Sequence, residues 1–543
     1  MPKRDGSELE TYDDWHFPKG GIDRASAYGR QPTRKDRNGV YVRTAFAGEN
    51  IRGFDPLTLR DRGGSRPGLS KFISTQVNGL FITQHLNSLT TTAQSGATLQ
   101  TSLSGRVVTL VAVSQGVVKT ANPDSTVWVT PTNNTGSTPA LNFTGLIYSA
   151  QNNQKLYFVD GTNYAYYSPA LGTVEAWTAT AGALPTDTGV APNNKGRLIC
   201  TWRGRTVISG LLKDPQNWFM SKVSDPHDFD YGATPAGDPT NAVFGNNAGL
   251  GLIGDVVTAL VPYTDDVLVF GGDHTIYMMR GDPLAGGQID LISDSIGMAY
   301  GLPWAKDPYG NIYFFSNKCG IYRFIPGQQA PIRISQAIES YIQDVNTGTH
   351  AVTMIWNDRF QGLHVFVTAL AAPAAATHYF WEMRTNAWWT DVFANTNHNP
   401  LCCVAFDGND PDDRRLLIGS WDGYVRELDP DATTDDATNI TSFVWLGPIL
   451  TQQQDLMILK DMQAMLALGS GDITYAVHVG DTAELALAAT ATVTGTWSAS
   501  RNTVSPVRRS GHAIYVKLSS TSRWALESIR ARFVGRGKVA RRS

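Results

Sequence analysis

One pattern constrains this chain more than any other: an apolar strand, a tight polar turn and a second apolar strand, written out again and again. It is plainest between Val256 and Gly327. There VVTALVPYTDDVLVFGGDHTIYMMRG gives a strand, a turn at Thr264-Asp265-Asp266, a strand at Val267–Phe270, a turn at Gly271-Gly272-Asp273 and a third strand through Ile276-Tyr277. Roughly 45 residues on, NIYFFSNKCGIYRFIPG repeats the second half, with strands at Ile312–Phe315 and Ile321-Tyr322 around a turn at Asn317–Gly320. β-Branched and aromatic residues fit the pleated strands, while Gly, Asp and Asn supply the backbone conformations that turns need. A unit of this size cannot bury its faces alone, so several must pack together.

The unit recurs in LYFVDGTNYAYYSP (Leu156 to Pro169), TVISGLLKDPQNWFMSKVSDP (Thr206 to Pro226), LHVFVTALAAPAAATHYFWEMRTNAWW (Leu363 to Trp389) and LLIGSWDGYVREL (Leu416 to Leu428). Turn centres fall near residues 161, 212, 272, 319, 372 and 422, a spacing of roughly 45 to 60 residues that suits one propeller blade per repeat. VVTLVAVSQGVVKT (Val107 to Thr120) is either a seventh copy or a lead-in strand. The fold class expected is all-β. It comprises an irregular six- or seven-bladed β-propeller over 76–432, a C-terminal β-sandwich-like domain over 433–535 and an extended N-terminal arm over 1–48.

Composition agrees. Aromatic residues make up 10% of 543, Gly and Pro number 52 and 27, and no long segment keeps a 3.6-residue apolar period. No run of about 18 apolar residues points to a membrane span, and the charged start MPKRDGSELETYDDW is unlike a signal peptide, so a cytoplasmic origin is expected. Of the four cysteines, Cys200 and Cys319 stand alone and Cys402-Cys403 are adjacent, a pair hard to join without strain; buried free thiols are expected.

The formal net charge is only −3, yet it is unevenly laid out. Residues 1–71 hold 14 bases against 10 acids, residues 501–543 hold 11 against 1, and the body, 72–500, keeps 20 against 37. Such a body repels phosphate, while the basic ends attract it.

The arm is polar and aperiodic, and is expected to order only on a partner. Segment 49–75 is turn-rich, because its Arg-Gly-Gly-Ser-Arg-Pro-Gly core (Arg62 to Gly68) suits no regular element. Residues 88–105 and 131–142 read as Ser/Thr/Asn-rich loops, Pro430–Asp436 (PDATTDD) as a linker and 536–543 as a flexible basic tail. Beyond the linker the chain reads as strands, including a long edge strand. Gln452 to Leu466 also admits a helix, since Leu456, Leu459, Met462 and Leu466 fit helical spacing.

No H-E-x-x-H, G-x-S-x-G, P-loop or paired C-x-x-C occurs, so no catalytic, cofactor or metal residue is assigned. The densest polar knot is SDPHDFDYG, where Asp225, Asp228 and Asp230 surround His227. It lacks the spacing of a calcium loop, and turn chemistry accounts for it, with a hard cation as the alternative. Ser420-Trp421-Asp422-Gly423 and Trp388–Asp391 are single fragments of motifs that other propellers repeat. The terminal bases Arg501, Arg508, Arg509, Arg523, Arg530, Arg532, Arg536, Lys538, Arg541 and Arg542 form either a solvated or subunit-facing surface or a nucleic-acid contact.

Three stretches carry a further likeness: Asn50-Ile51-Arg52 leading into Arg66-Pro67-Gly68; GRLICTWRGRTVISG (Gly196 to Gly210) followed by Trp218, Ser221, Asp225 and Pro226; and SSTSRWALESIRARF (Ser519 to Phe533). In these the chain resembles, over about 50–535, the tail nozzle proteins (tail tubular protein B, or tail hub and stabilisation proteins) of short-tailed bacteriophages. The resemblance implies a structural virion protein, not an enzyme and without cofactor. It would form a homohexameric ring below the portal and head-to-tail adaptor, assembled in the host cytoplasm and resident in the virion tail. Tail fibres or spikes would attach outside, and double-stranded DNA would be retained in the central channel and ejected through it without sequence-specific binding. The alternative is a glycan-binding or glycan-cleaving propeller tail protein, in which Trp202, Trp218, Trp388, Trp389 and Trp421 stack on sugars and facing carboxylates sit at the propeller centre. A cellular scaffold propeller, monomeric with one exposed interaction face, is a third reading.

Overall fold

The repeats fold as seven antiparallel sheets in a ring, with a two-sheet sandwich attached to one of them. In the computed structural model of the chain the residues described are 10–15, 17–27, 33–36, 38–80, 82–92, 106–132, 141, 145–188, 194–245, 249–408, 410–450 and 456–535. The basic tail 536–543 and the loop stretches 93–105 and 133–140 lie outside them.

All six turn centres take the same place, between the second and third strands of a blade. Blade 2 comprises Tyr148–Asn152, Lys155–Val159, Tyr164–Ser168 and Thr173–Ala176, and blade 3 Leu198–Trp202, Arg205–Ser209, Trp218–Met220 and Val243–Phe244. Blade 4 comprises Val257–Thr264, Val267–Gly272, Ile276–Arg280 and Gln288–Ser293, and blade 5 Trp304–Lys306, Ile312–Ser316, Gly320–Ile325 and Gln329–Arg333. Blade 6 comprises His350–Asn357, Gly362–Ala369, His378–Glu382 and Ala387–Asp391, and blade 7 begins with Pro400–Asp407, Arg414–Ser420 and Val425–Asp429. The stretch Val107 to Thr120 is a true seventh copy. Thr83–Thr92, Arg106–Ser114 and Val117–Ala121 form blade 1, with the turn at Gln115-Gly116 in the common place. Its first strand runs through residues 88–92, expected as loop, because threonine is β-branched and suits a strand.

Neighbouring blades bury apolar faces against each other. Leu89, Val111 and Val113 of blade 1 pack with Leu156, Phe158 and Ala165 of blade 2. The series continues round to Phe406, Leu417 and Val425 of blade 7, which meet Leu86, Val108 and Leu110 of blade 1 and close the ring. Closure also draws on Gly68–Lys71, paired antiparallel with Val425–Asp429 as the fourth strand of blade 7. The propeller therefore begins before residue 76.

The sandwich grows out of blade 6. The strand Gly48–Glu49 lies between Thr390 of blade 6 and Phe443, so that one sheet runs on through Ser442–Ile449, Ala513–Ser520, Ile473–Gly480 and Val493–Trp497. The second, outer sheet sets Leu526–Gly535 between Glu10–Trp15 and Met457–Leu466, with Ser500–Arg501 and Ser505–Gly511 beyond. Val444, Leu446, Val477 and Val516 share one core with Leu459, Met462, Ile529 and Phe533.

Three expectations are corrected here. Met457–Leu466 is a strand, and an interior one rather than an edge. A bulge between Leu459 and Asp461 shifts the alternation by one residue, so the step from buried Leu459 to buried Met462 imitates helical spacing. The arm is extended, but its described residues are ordered on this chain: Glu10–Trp15 pairs along Ile529 to Val534, and Phe17, Ile22 and Ala45 are buried in the core shared by blade 6 and the sandwich. The Pro430–Asp436 linker is fixed in place, since Asp435 is fully buried and Thr434–Asp435 extends the edge of blade 7 beside Leu69.

Candidate functional site

Segment 49–75, the 430–436 stretch and the last strand of blade 6 meet in one buried polar joint. Asn50 stands at its centre with a left-handed backbone, φ 57°, which asparagine tolerates better than most residues. Its side-chain N–H donates to the Thr441 carbonyl at 2.7 Å, and its Oδ1 accepts from Arg66 Nε at 2.7 Å and from the Val392 N–H at 2.9 Å. Arg66 donates through both terminal nitrogens to Asp435, at 2.9 and 2.6 Å. Arg52 does the same to Asp391, at 2.7 and 2.6 Å, while lying 4.2 Å over the Phe380 ring. Arg426 donates to both oxygens of Asp422 and to Asp436 at 2.9 Å. A guanidinium is a rigid planar fork that fits a carboxylate with two parallel hydrogen bonds, so these pairs fix orientation as well as distance.

Burial alone would raise the Asp391 carboxyl; Arg52, with Arg66 beyond it, holds it below the usual carboxylate range. Asp435 likewise keeps the Arg66 guanidinium charged against its burial. Glu49 beside them is pushed up by burial and then by Asp391. Glu382 of blade 6 is pushed up to about 7 by burial, against the pull of Arg384 at 2.6 Å. The joint acts as a clamp. Both halves of the motif seen in the sequence, Asn50 to Arg52 and Arg66 to Gly68, belong to it; the carboxylates that answer them, Asp391 and Asp435, were not singled out as partners.

The first strands of blades 1, 2, 6 and 7 and the segment leading into blade 5 converge. Gln84, His85, Tyr148, Tyr300, Val352 and Cys402 line a void of about 30 Å³ with no carboxylate among its lining residues, room for about one water. His85 lies 2.7 Å from Ser149 Oγ, and burial lowers its imidazole to about 4. An open groove of about 610 Å³ between blades 1 and 2 is lined mainly by hydroxyl and amide groups such as Thr91, Thr109, Asn122 and Ser168. Its titratable side chains, Lys155 and Tyr167, do not make an acid–base pair suited to hydrolysis.

The polar knot of blade 3 is turn chemistry. Asp225, Asp228 and Asp230 accept, through Oδ1, the backbone N–H groups of His227, Asp230 and Gly232 at 3.0, 2.9 and 3.0 Å. His227 turns instead to the Tyr157 hydroxyl and the Thr178 carbonyl. Among the described residues no three His, Cys, Asp or Glu side chains gather as metal ligands would.

Trp202, Trp218, Trp388 and Trp389 are buried and only Trp421 is partly exposed. Four of the five tryptophans offered as sugar platforms are therefore core residues. All four cysteines are free, and burial raises each thiol. Of the terminal bases, Arg523 pairs with Asp55 and Arg532 with Asp461. Arg501, Arg508, Arg509 and Arg530 are exposed on the outer sheet; Arg536, Lys538, Arg541 and Arg542 lie outside the described residues.

Comparison with known protein families and with curated proteins finds no match. Among solved structures, YCF48 from Cyanidioschyzon merolae is similar at 8% identity over 67% of this chain and 99% of its own, with a TM-score of 0.38. The extracellular domain of the one component system BT4673 from B. thetaiotaomicron is similar at 11% identity over 83% of this chain and 58% of its own, with a TM-score of 0.42. BBS1N, in complex with ARL6DN, is similar at 10% identity over 68% and 98%, with a TM-score of 0.38. Likeness this remote carries nothing about function. The seven-bladed architecture stands on its own sheets.

Proposed function

We propose that this chain is a structural virion protein, the tail nozzle of a short-tailed bacteriophage. In this reading six copies form a ring below the portal and adaptor. Tail fibres or spikes attach to it, and double-stranded DNA is held in and then ejected through its central channel. The observation that carries the reading is the joint. The residues in which the chain resembles nozzle proteins, Asn50 to Arg52 and Arg66 to Gly68, are those that clamp propeller and sandwich together, as a part under mechanical stress requires.

Two further features support it. The convergence of strands from several blades on so small a void supports a duplex-wide channel between copies rather than through one propeller. The body, with 20 bases against 37 acids, would let phosphates slide past instead of gripping them. No catalytic role or cofactor belongs to this reading.

The test is the mass and rotational symmetry of the purified protein, by mass photometry and negative-stain class averages, alone and with a candidate adaptor ring. A six-fold ring with an axis wide enough for a duplex is expected. A compact monomer under both conditions would overturn the proposal.

A further inference from the structure

The sandwich and the propeller carry exposed patches of opposite charge, each built around apolar side chains. On the outer sheet Met465 lies opposite Arg501 and Gln463 opposite Arg530, so all four share the face turned from the core. Met465, Leu468 and Val504 are 43%, 90% and 55% exposed. Arg508 and Arg509 stand exposed on the neighbouring edge strand. Among the described residues neither they nor Arg501 is held in an ion pair.

The complementary patch is the seam where blade 7 meets blade 1. Asp410 and Asp412 are exposed in the turn between the first two strands of blade 7, and Asp124 is exposed just beyond the last strand of blade 1. The two turns adjoin, since Trp128, four residues on from Asp124, packs against the cluster that holds Phe406 and Leu417 of blade 7; Asp413 there is pushed up by partial burial and then by Asp124. Bases also stand at this seam: Arg106 of blade 1 donates to the Asp407 carbonyl, Arg415 donates to the Asp412 carbonyl at 3.1 Å and faces Glu427, and Arg414 is exposed. Val127 and Val129, 58% and 55% exposed, flank Trp128, which packs into the seam.

We infer that the outer sheet of the sandwich docks head to tail on the blade 7–blade 1 seam of a second copy of this chain. Opposite charge selects the occupant, since the two patches match each other and like patches repel. Exposed Met465, Leu468 and Val504 on the sandwich and Val127 and Val129 on the seam supply the apolar contact that charge alone does not. Two different patches on one chain give a heterologous contact, which closes into a ring when the rotation permits. This inference rests on the ring reading above and names the surfaces that would make it.

The test uses two full-length variants, R501E/R508E/R509E and D124K/D410K/D412K, with thermal melts to confirm folding. In mass photometry at low salt each variant alone should lose the oligomer that the wild type forms. An equimolar mixture should regain it, because the acidified sandwich of one meets the basic seam of the other. Added salt should weaken the wild-type assembly. Either variant assembling like the wild type, or a mixture that stays monomeric, overturns the inference and leaves the ring reading standing. A wild type that is monomeric alone and with an adaptor ring removes both. If the arginine variant keeps its self-association but loses duplex DNA in a gel shift, the face is a nucleic-acid contact and the inference falls.

Discussion

Arg66 and Asp435, 369 residues apart in sequence, meet through two hydrogen bonds of 2.9 and 2.6 Å with neither side chain exposed. Removing one partner of such a pair leaves an uncompensated buried charge, at a cost of about 3–5 kcal/mol. Asp435→Asn and Arg66→Met should each lower unfolding free energy by that order in urea titrations at neutral pH. Arg66→Lys should rescue little, because an ammonium cannot reproduce the fork that also reaches Asn50. A loss below about 1 kcal/mol, the range of an exposed pair, would show that the joint does not hold the two domains together.

Glu382 yields a pH dependence of definite sign. Its folded value, about 7, lies above its ordinary value of 4.5 because it is buried. The folded state therefore binds the proton more tightly, and the resulting stability is fully present below the unfolded value and lost as pH rises through 7. Relative to Glu382→Gln, the wild type should gain on the order of 2–3 kcal/mol between pH 8 and pH 5. Glu427, raised to about 7 in the same direction, is present in both proteins and cancels in the comparison. Parallel stability–pH curves for wild type and variant would contradict this account.

Phe17 is the anchor of the N-terminal segment, with its ring centroid 5.9 Å from that of Trp389 and 6.2 Å from that of Trp524. Phe17→Ala should cost about 3–5 kcal/mol, as large-to-small changes in packed cores do. Deleting residues 1–45 should destabilise the sandwich as well as impair assembly, because the strand Glu10–Trp15 and the buried Phe17, Ile22 and Ala45 leave with it. Thermal melts check both, and an unchanged melt for Phe17→Ala would restore the view of this segment as an arm awaiting a partner.

How far the fold was readable follows from where its information is local. Hairpin turns such as Gly271-Gly272-Asp273 and Asn317 to Gly320 announce themselves, because turn residues and flanking strands are contiguous. The phase of six blades was visible in that spacing, and the three-stranded first blade, Val107 to Thr120 within it, left the count open between six and seven. Contacts between distant segments were not visible. Nothing near Asp435 marks it as the partner of Arg66, and PDATTDD reads as a linker because two acids in a polar stretch are what a solvated turn also shows. The bulge at Leu459 to Asp461 hid a strand behind helical spacing. At the candidate site, the motif halves Asn50 to Arg52 and Arg66 to Gly68 were found, but whether tryptophans faced solvent or core depended on blade packing that composition does not encode.

Gly68 tests ring closure directly. It begins the strand that completes blade 7, pairing with Asp429 while Leu69 and Ser70 pair with Leu428 and Glu427. A Cβ there would lie 2.2 Å from the Thr434 carbonyl oxygen and 3.0 Å from Ala432, so even alanine forces the 430–436 stretch away from the sheet. Gly68→Ala should cost about 1–3 kcal/mol, the range for overpacking, and Gly68→Val more. The damage should be regional. Amides of Val425–Asp429 should lose hydrogen-exchange protection as the edge of blade 7 opens, while those of Ala513–Ser520 in the sandwich keep theirs. Protection lost equally in both would mean that propeller and sandwich unfold as one unit, with the joint, rather than strand closure, setting the stability of the ring.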